Sequence, residues 1–172
     1  MLISLIGYMG SGKSHISKLL SEKLNFKLFD LDKEISNKNK LSIPEIFEKK
    51  GELFFRKSEK EILEELLASQ KNSILSVGGG TPVYYNNMDA LNSRSITFYL
   101  RANVKTLTER LLKQKENRPL IARISDEDLP EFIAKHLFER NNYYNKAQYI
   151  IDTDLKNPSE VVEEILTALQ NH

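Results

Sequence analysis

Residues 7–14 read GYMGSGKS, directly after the apolar run Met1–Ile6 and directly before a segment of helical periodicity. The stretch satisfies G-x-x-x-x-G-K-[ST], the pattern of a phosphate-cradling loop. Its glycines admit close approaches that a Cβ would block. Consecutive N–H groups can then turn inward as an anion nest, reinforced by the positive end of the following helix. Lys13 can reach the β- and γ-phosphates, and the Ser14 hydroxyl can ligate Mg²⁺. A plain glycine-rich turn is the competing explanation, but a strand before and a helix after are the setting in which this pattern binds phosphate. The expectation is a nucleoside triphosphate site over Gly10, Ser11, Gly12, Lys13, Ser14 and His15.

Outward from the loop, strand-like and helix-like segments alternate. Met1–Ile6 reads as a buried strand, and Ile16, Leu19, Leu20 and Leu24 recur on one helical face. Phe26–Leu31 reads as a second strand. Ser42-Ile-Pro-Glu45 is a capping-box pattern opening a helix to about Lys50, and Gly51 separates it from another helix running to about Ser69. Further strands are expected at Ser73–Val77, Ser95–Leu100 and Tyr149–Asp152. Helices are expected over Val104–Leu112 and from Asn157-Pro158-Ser159-Glu160 onward, with Asp126-Glu127-Asp128 as the acidic first turn of a helix between them. Strands separated by helices imply a parallel sheet covered on both faces, an α/β three-layer domain. Lys113–Asp126 is polar and fits no element, as mobile lids often do.

Composition narrows the classes. With 172 residues and no linker or repeat, one domain is expected over 1–172. A formal charge of +1 provides no overall field for nucleic acid or an anionic membrane, so neither partner is expected. The chain has no Cys, which excludes disulfides and thiolate metal sites and fits a cytoplasmic location. No apolar run is long enough for a membrane span, and no secretory signal is recognisable at the N-terminus.

A phosphate loop alone does not separate a GTPase, a motor and a small-molecule kinase. No Asp-x-x-Gly occurs, and the nearest approach to a guanine-reading motif, Asn145-Lys146-Ala147-Gln148, lacks its carboxylate. The third strand ends in glycines where this superfamily often supplies an Asp for Mg²⁺. Asp30 and Asp32 are the remaining candidates. Two apart at the carboxyl end of a strand, they would project to one side, where open α/β sheets bind ligands. One could hold Mg²⁺ through water while the other orients or deprotonates a hydroxyl; equally, the pair could cap a helix beginning near Lys33.

With these features assembled, the chain resembles the shikimate kinase family. Asp30-Leu31-Asp32 looks like its D-x-D, and Gly51-Glu52-Leu53-Phe54-Phe55-Arg56-Lys57-Ser58-Glu59 fits its G-E-x-x-F-R-x-x-E. Gly78-Gly79-Gly80 is similar to its triple glycine, and Arg118-Pro119-Leu120-Ile121 to the R-P-L-L of its lid. The resemblance implies a P-loop NTPase fold of the nucleoside monophosphate kinase type, with a five-stranded parallel sheet, a lid at about 113–125 and an acceptor-binding helical segment at about 32–60. It also implies ATP-dependent phosphorylation of the 3-hydroxyl of shikimate by a monomer. By that resemblance Lys13 and Ser14 hold phosphates and Mg²⁺, and Asp30 meets the metal through water. Asp32 binds the acceptor hydroxyls and acts as base. Arg56 and Arg140 grip the carboxylate, Gly78, Gly79 and Gly80 line the acceptor site, and Arg118 arrives from the lid. Arg110 and the segment Asp154–Pro158, with Lys156, fall where the family encloses adenine.

Plainer roles fit several other residues. Phe54 and Phe55 are expected as core and pocket wall, and Arg123 as a solvated lid residue. His15, His136 and His172 lack metal-ligand spacing. Gluconate kinase, as another small-molecule kinase of this fold, and a catalytically silent nucleotide-binding module are the rival readings.

Overall fold

A computed structural model describes residues 1–69 and 71–172. Its five strands are β1 (Leu2–Ile6), β2 (Lys27–Asp30), β3 (Ser73–Ser76), β4 (Ile96–Arg101) and β5 (Tyr149–Asp152). The helices are α1 (Lys13–Leu24), α2 (Leu31–Asn39), α3 (Ile43–Ser69), α4 (Asn87–Arg94), α5 (Val104–Leu112), α6 (Pro119–Ala122), α7 (Leu129–Tyr144) and α8 (Pro158–Gln170). The strands form one parallel sheet in the order β2-β3-β1-β4-β5.

Strand alternation in β1 explains the layers. Ile3 and Leu5 face α1 and α8, packing with Ile16, Leu20, Val161 and Ile165. Leu2 and Ile6 face the opposite layer, with Leu63 of α3, Leu111 of α5 and Ile133 of α7. A strand buried on both faces must be apolar at successive positions, as β1 is. Its one polar side chain, Ser4, is buried and shares a 2.7 Å hydrogen bond with the Ser95 hydroxyl. Because β1 is central and the chain crosses from one side of it to the other, the crevice above its carboxyl end is the place where such sheets bind ligands.

Two glycines carry backbone that other residues resist. Gly12 sits at φ 94° immediately before α1, which begins without a side-chain cap. Gly51 breaks α3 at φ 84°, ψ 169°, separating the capping-box turn at Ser42 from the longer half that carries Arg56 and Glu59. The capping box at Asn157 is also formed, with Asn157 Oδ1 accepting from the Glu160 N–H at 3.0 Å.

Three expectations change. β2 stops at Asp30, and Leu31 already begins α2. Asp30 and Asp32 therefore do not share a strand face; Asp30 caps the helix, accepting from the Lys33 N–H at 3.2 Å, while Asp32 lies in its first turn. The acidic run 126–128 precedes α7, because the Ser125 hydroxyl and Asp128 close a turn on each other at 2.7 and 3.1 Å. Helix α4 was not anticipated. It has eight residues, too few to display a period, and only Met88 and Leu91 bury apolar side chains. Within 113–126, a 3₁₀ turn at Lys115–Asn117 leads to α6, whose Ile121 is fully buried.

Candidate active site

The uncapped start of α1 opens into a cleft of about 630 Å³. Its walls include Gly10, Ser11, Gly12, Lys13, Ser14 and His15 from the loop, Asp30 at the end of β2, Asp32 in the first turn of α2, and Gly78 and Gly79 just after β3. Arg110, Arg118 and Lys156 close the far side. The volume lies in the range of small-molecule and nucleotide sites. Free helix-start N–H groups with a lysine beside them form an anion site by construction.

Lys13 folds over its own loop, donating from Nζ to the Gly7 carbonyl at 2.6 Å and the Tyr8 carbonyl at 3.0 Å. Burial pulls its pKa down to about 8; Asp32 opposes that shift, and the Arg118 and Arg140 cations add to it. Asp32 moves the other way. Burial, and then the negative charges of Asp30 and Glu59, push its carboxyl up to about 6, against the pull of Lys13 and Arg56. A carboxylate so placed is ionised at neutral pH yet basic enough to take a proton.

The triple glycine is where three charged side chains converge. A Cβ built on Gly78 would lie 3.3 Å from Asp32 Oδ1, one on Gly79 3.1 Å from Arg140 Nη1, and one on Gly80 2.7 Å from Arg56 Nη2. Three charged groups from α2, α7 and α3 thus press on three successive residues, so that a side chain at any of them would have to displace its charged neighbour. Arg56 is paired with Glu59 at 2.9 Å and lies 3.8 Å from Glu52. Arg140, half-buried, pairs with no carboxylate among the described residues. The Tyr144 hydroxyl donates to the Gly79 carbonyl at 2.6 Å and fixes that peptide. Tyr8, inside the phosphate loop, reaches His136 Nδ1 at 2.9 Å, and its ring centre lies 5.7 Å from the Arg140 guanidinium.

Elsewhere along the cleft, Arg110 donates to the Gly10 carbonyl at 3.2 Å and to the Thr153 carbonyl at 3.2 Å, tying the phosphate loop to the segment after β5. Lys156 lines the cleft, but its Nζ pairs with Glu164 at 2.5 Å. Arg118 donates to Gln114 Oε1 at 3.0 Å, and its buried Nε has no partner. His15 is exposed at the rim, and Arg123 is exposed away from these groups.

The oxygen donors Ser14, Asp30 and Asp32 share the cleft, and one oxygen of Asp30 is engaged only by the Lys33 N–H. A sparse, all-oxygen set suits Mg²⁺, which keeps several waters and takes further ligands from substrate phosphates. No denser cluster of metal-binding side chains occurs among the described residues.

Residue-type patterns point to the loop and the two aspartates, and the family resemblance to both arginines. They give no role to Glu59, Thr81, Tyr84 or Tyr144, which meet the triple glycine or Arg56 only through folding. The buried carboxylate of Glu59 accepts from Arg56 and from Thr81 Oγ1 at 2.8 Å. Its place three residues after Arg56, one helical turn away, was the available signal.

A phosphate loop at the centre of a five-stranded parallel sheet, facing a base-like carboxylate and two guanidinium groups, defines a kinase of the P-loop NTPase class. The comparisons narrow this. The family model described as shikimate kinase matches residues 9–170. A shikimate kinase of Flavobacterium johnsoniae is 48% identical over 168 residues, covering 97% of this chain and 98% of that protein. A crystal structure of shikimate kinase from Bacteroides thetaiotaomicron superposes with a TM-score of 0.93 at 33% identity, covering 99% and 98% of the two chains. The shikimate kinase of Acinetobacter baumannii in complex with shikimate does so with a TM-score of 0.88 at 33% identity, over 99% and 93%. The chain belongs to the shikimate kinase family.

Proposed function

We propose that this enzyme transfers the γ-phosphate of ATP to the 3-hydroxyl of shikimate, giving shikimate 3-phosphate and ADP for chorismate and aromatic amino-acid synthesis. The observation that carries the proposal is the convergence of Asp32, Arg140 and Arg56 on Gly78–Gly80, one charged group per glycine. A small hydroxylated carboxylic acid is suited by guanidinium forks for its charge, backbone close at hand, and a carboxylate for its hydroxyl.

In this proposal Arg140 and Arg56 hold the acceptor carboxylate, and Asp32 orients the 3-hydroxyl and accepts its proton as attack begins. Lys13 and Arg118 place positive charge on the phosphoryl oxygens, where charge builds during transfer. Ser14 and Asp30, through water, would hold Mg²⁺, which neutralises charge on the β- and γ-phosphates when bound. Gly10, Ser11, Gly12 and His15 would flank the phosphates, and Arg110 and Lys156 would border the base. Closure of the 113–125 segment would exclude water, which otherwise competes with the acceptor. Every group invoked comes from one chain, which supports a monomer, and the need for ATP with the lack of Cys supports a cytoplasmic location.

ADP release measured with shikimate, gluconate and a nucleoside monophosphate tests the assignment. Strong preference for shikimate is expected. Preference for either other acceptor would overturn the substrate, and ATP binding without shikimate-dependent turnover would favour a silent module.

A further inference from the structure

Arg56 is flanked by a residue that no motif singles out. The ring of Tyr84 lies under its guanidinium, 3.9 Å from the ring centre, with Phe55 at 5.0 Å. The Tyr84 hydroxyl donates to Glu52 Oε1 at 2.9 Å, and that same oxygen stands 3.8 Å from Arg56 Nε. At 3.8 Å no hydrogen bond exists. Arg56 Nε is accordingly buried and without a partner.

We infer that Tyr84 is a positioning residue for acceptor recognition, its ring fixing the plane of Arg56 and its hydroxyl holding Glu52 away from Arg56 Nε. The inference rests on the proposed role of Arg56 in binding the acceptor carboxylate. Glu52, one helical turn before Arg56, is a competing carboxylate beside the fork. Left alone it would close onto Nε as an ordinary i,i+4 pair. Occupied by the phenol, it stays back, and the unpaired N–H remains available to an incoming carboxylate. The turn that presents Tyr84 is itself tied down: the Val83 N–H reaches the Gly80 carbonyl at 3.0 Å, the Asn87 N–H reaches the Tyr84 carbonyl at 3.3 Å, and Asn87 Nδ2 reaches the Thr81 carbonyl at 3.0 Å. The backbone that carries Tyr84 is therefore held in place beside Arg56.

The test is steady-state kinetics of Tyr84→Phe, Tyr84→Ala and the double variant Tyr84→Phe/Glu52→Gln, each with its melting temperature. Removing the hydroxyl alone should raise KM for shikimate about fivefold, with KM for ATP unchanged, the size of one modest ion pair. Adding Glu52→Gln should return KM toward the unmodified value, because a neutral amide no longer competes. Loss of the ring in Tyr84→Ala should raise KM about tenfold or more, as expected for a partly desolvated cation–π contact. An unchanged KM in Tyr84→Phe, or a rise that Glu52→Gln does not reverse, would overturn the inference, as would equal rises in both KM values. Failure of the unmodified enzyme to use shikimate would strike the functional proposal itself and this inference with it.

Discussion

Arg56 donates from Nη1 to Glu59 Oε1 at 2.9 Å, and the other oxygen of that carboxylate accepts from Thr81 Oγ1 at 2.8 Å. Glu59 is 1% exposed, so it lies almost wholly away from water, held by one cation and one hydroxyl. Buried carboxylates survive only when paired and hydrogen-bonded in this way. Because α3 carries both partners a turn apart while Thr81 follows the triple glycine, Glu59 fastens the arginine to the segment it serves.

Glu59→Ala should cost about 3 kcal/mol, because it strands a buried hydroxyl and an arginine together. Thermal unfolding should show a clear drop in Tm, and KM for shikimate should rise with it. An unchanged Tm would mean the carboxylate is dispensable.

Gly80→Ala places a methyl 2.7 Å from Arg56 Nη2, the movable end of a long side chain. The arginine should yield and the fold should not. Tm is expected to change little while KM for shikimate rises at least several-fold and KM for ATP stays constant. A large loss of Tm would show that the clash lies with backbone instead.

Arg56→Ala and Arg140→Ala should both raise KM for shikimate far more than KM for ATP. They should differ in stability. Loss of Arg56 leaves Glu59 uncompensated, whereas Arg140 has no carboxylate partner among the described residues, so its removal should leave Tm unchanged or higher. Equal effects on both KM values would contradict the acceptor-side placement.

Asp32, pushed up to about 6, should set the acid limb of kcat/KM, with activity falling as pH drops through that value. Its effect on stability has the opposite sense. The folded state holds the proton more tightly than the unfolded chain, so stability declines as pH rises from about 4 to about 6 and stays reduced above. Asp32→Asn should therefore lose turnover yet gain on the order of 2 kcal/mol at neutral pH, a gain that vanishes near pH 3. Unimpaired turnover in this variant would remove Asp32 from the mechanism.

Lys13, pulled down to about 8, should set the alkaline limb, since its neutral form carries no charge for the phosphates. The profile of kcat/KM, which reports the free enzyme, is expected to be bell-shaped between the two values. A flat profile up to pH 10 would show that Lys13 stays charged.

The two arginines came only with the family resemblance, whereas the amino-acid order alone determined the phosphate loop and the α/β alternation. Each of these is written in neighbouring residues or in a short period: Gly7 to Ser14 is one contiguous loop, and Val104–Leu112 is one apolar stripe. The alternation rule misplaced Asp32, because a helix began one residue after Asp30 and the Asp30 side chain capped it. Folding alone decided which charges meet. Arg140 comes to Gly79 across 61 positions and Tyr84 to Arg56 across 28, so no local pattern announces either contact. The raised Asp32 and lowered Lys13 likewise arise from burial and then from like charges nearby, against their attraction for each other, and desolvation exists only once the chain has closed around them.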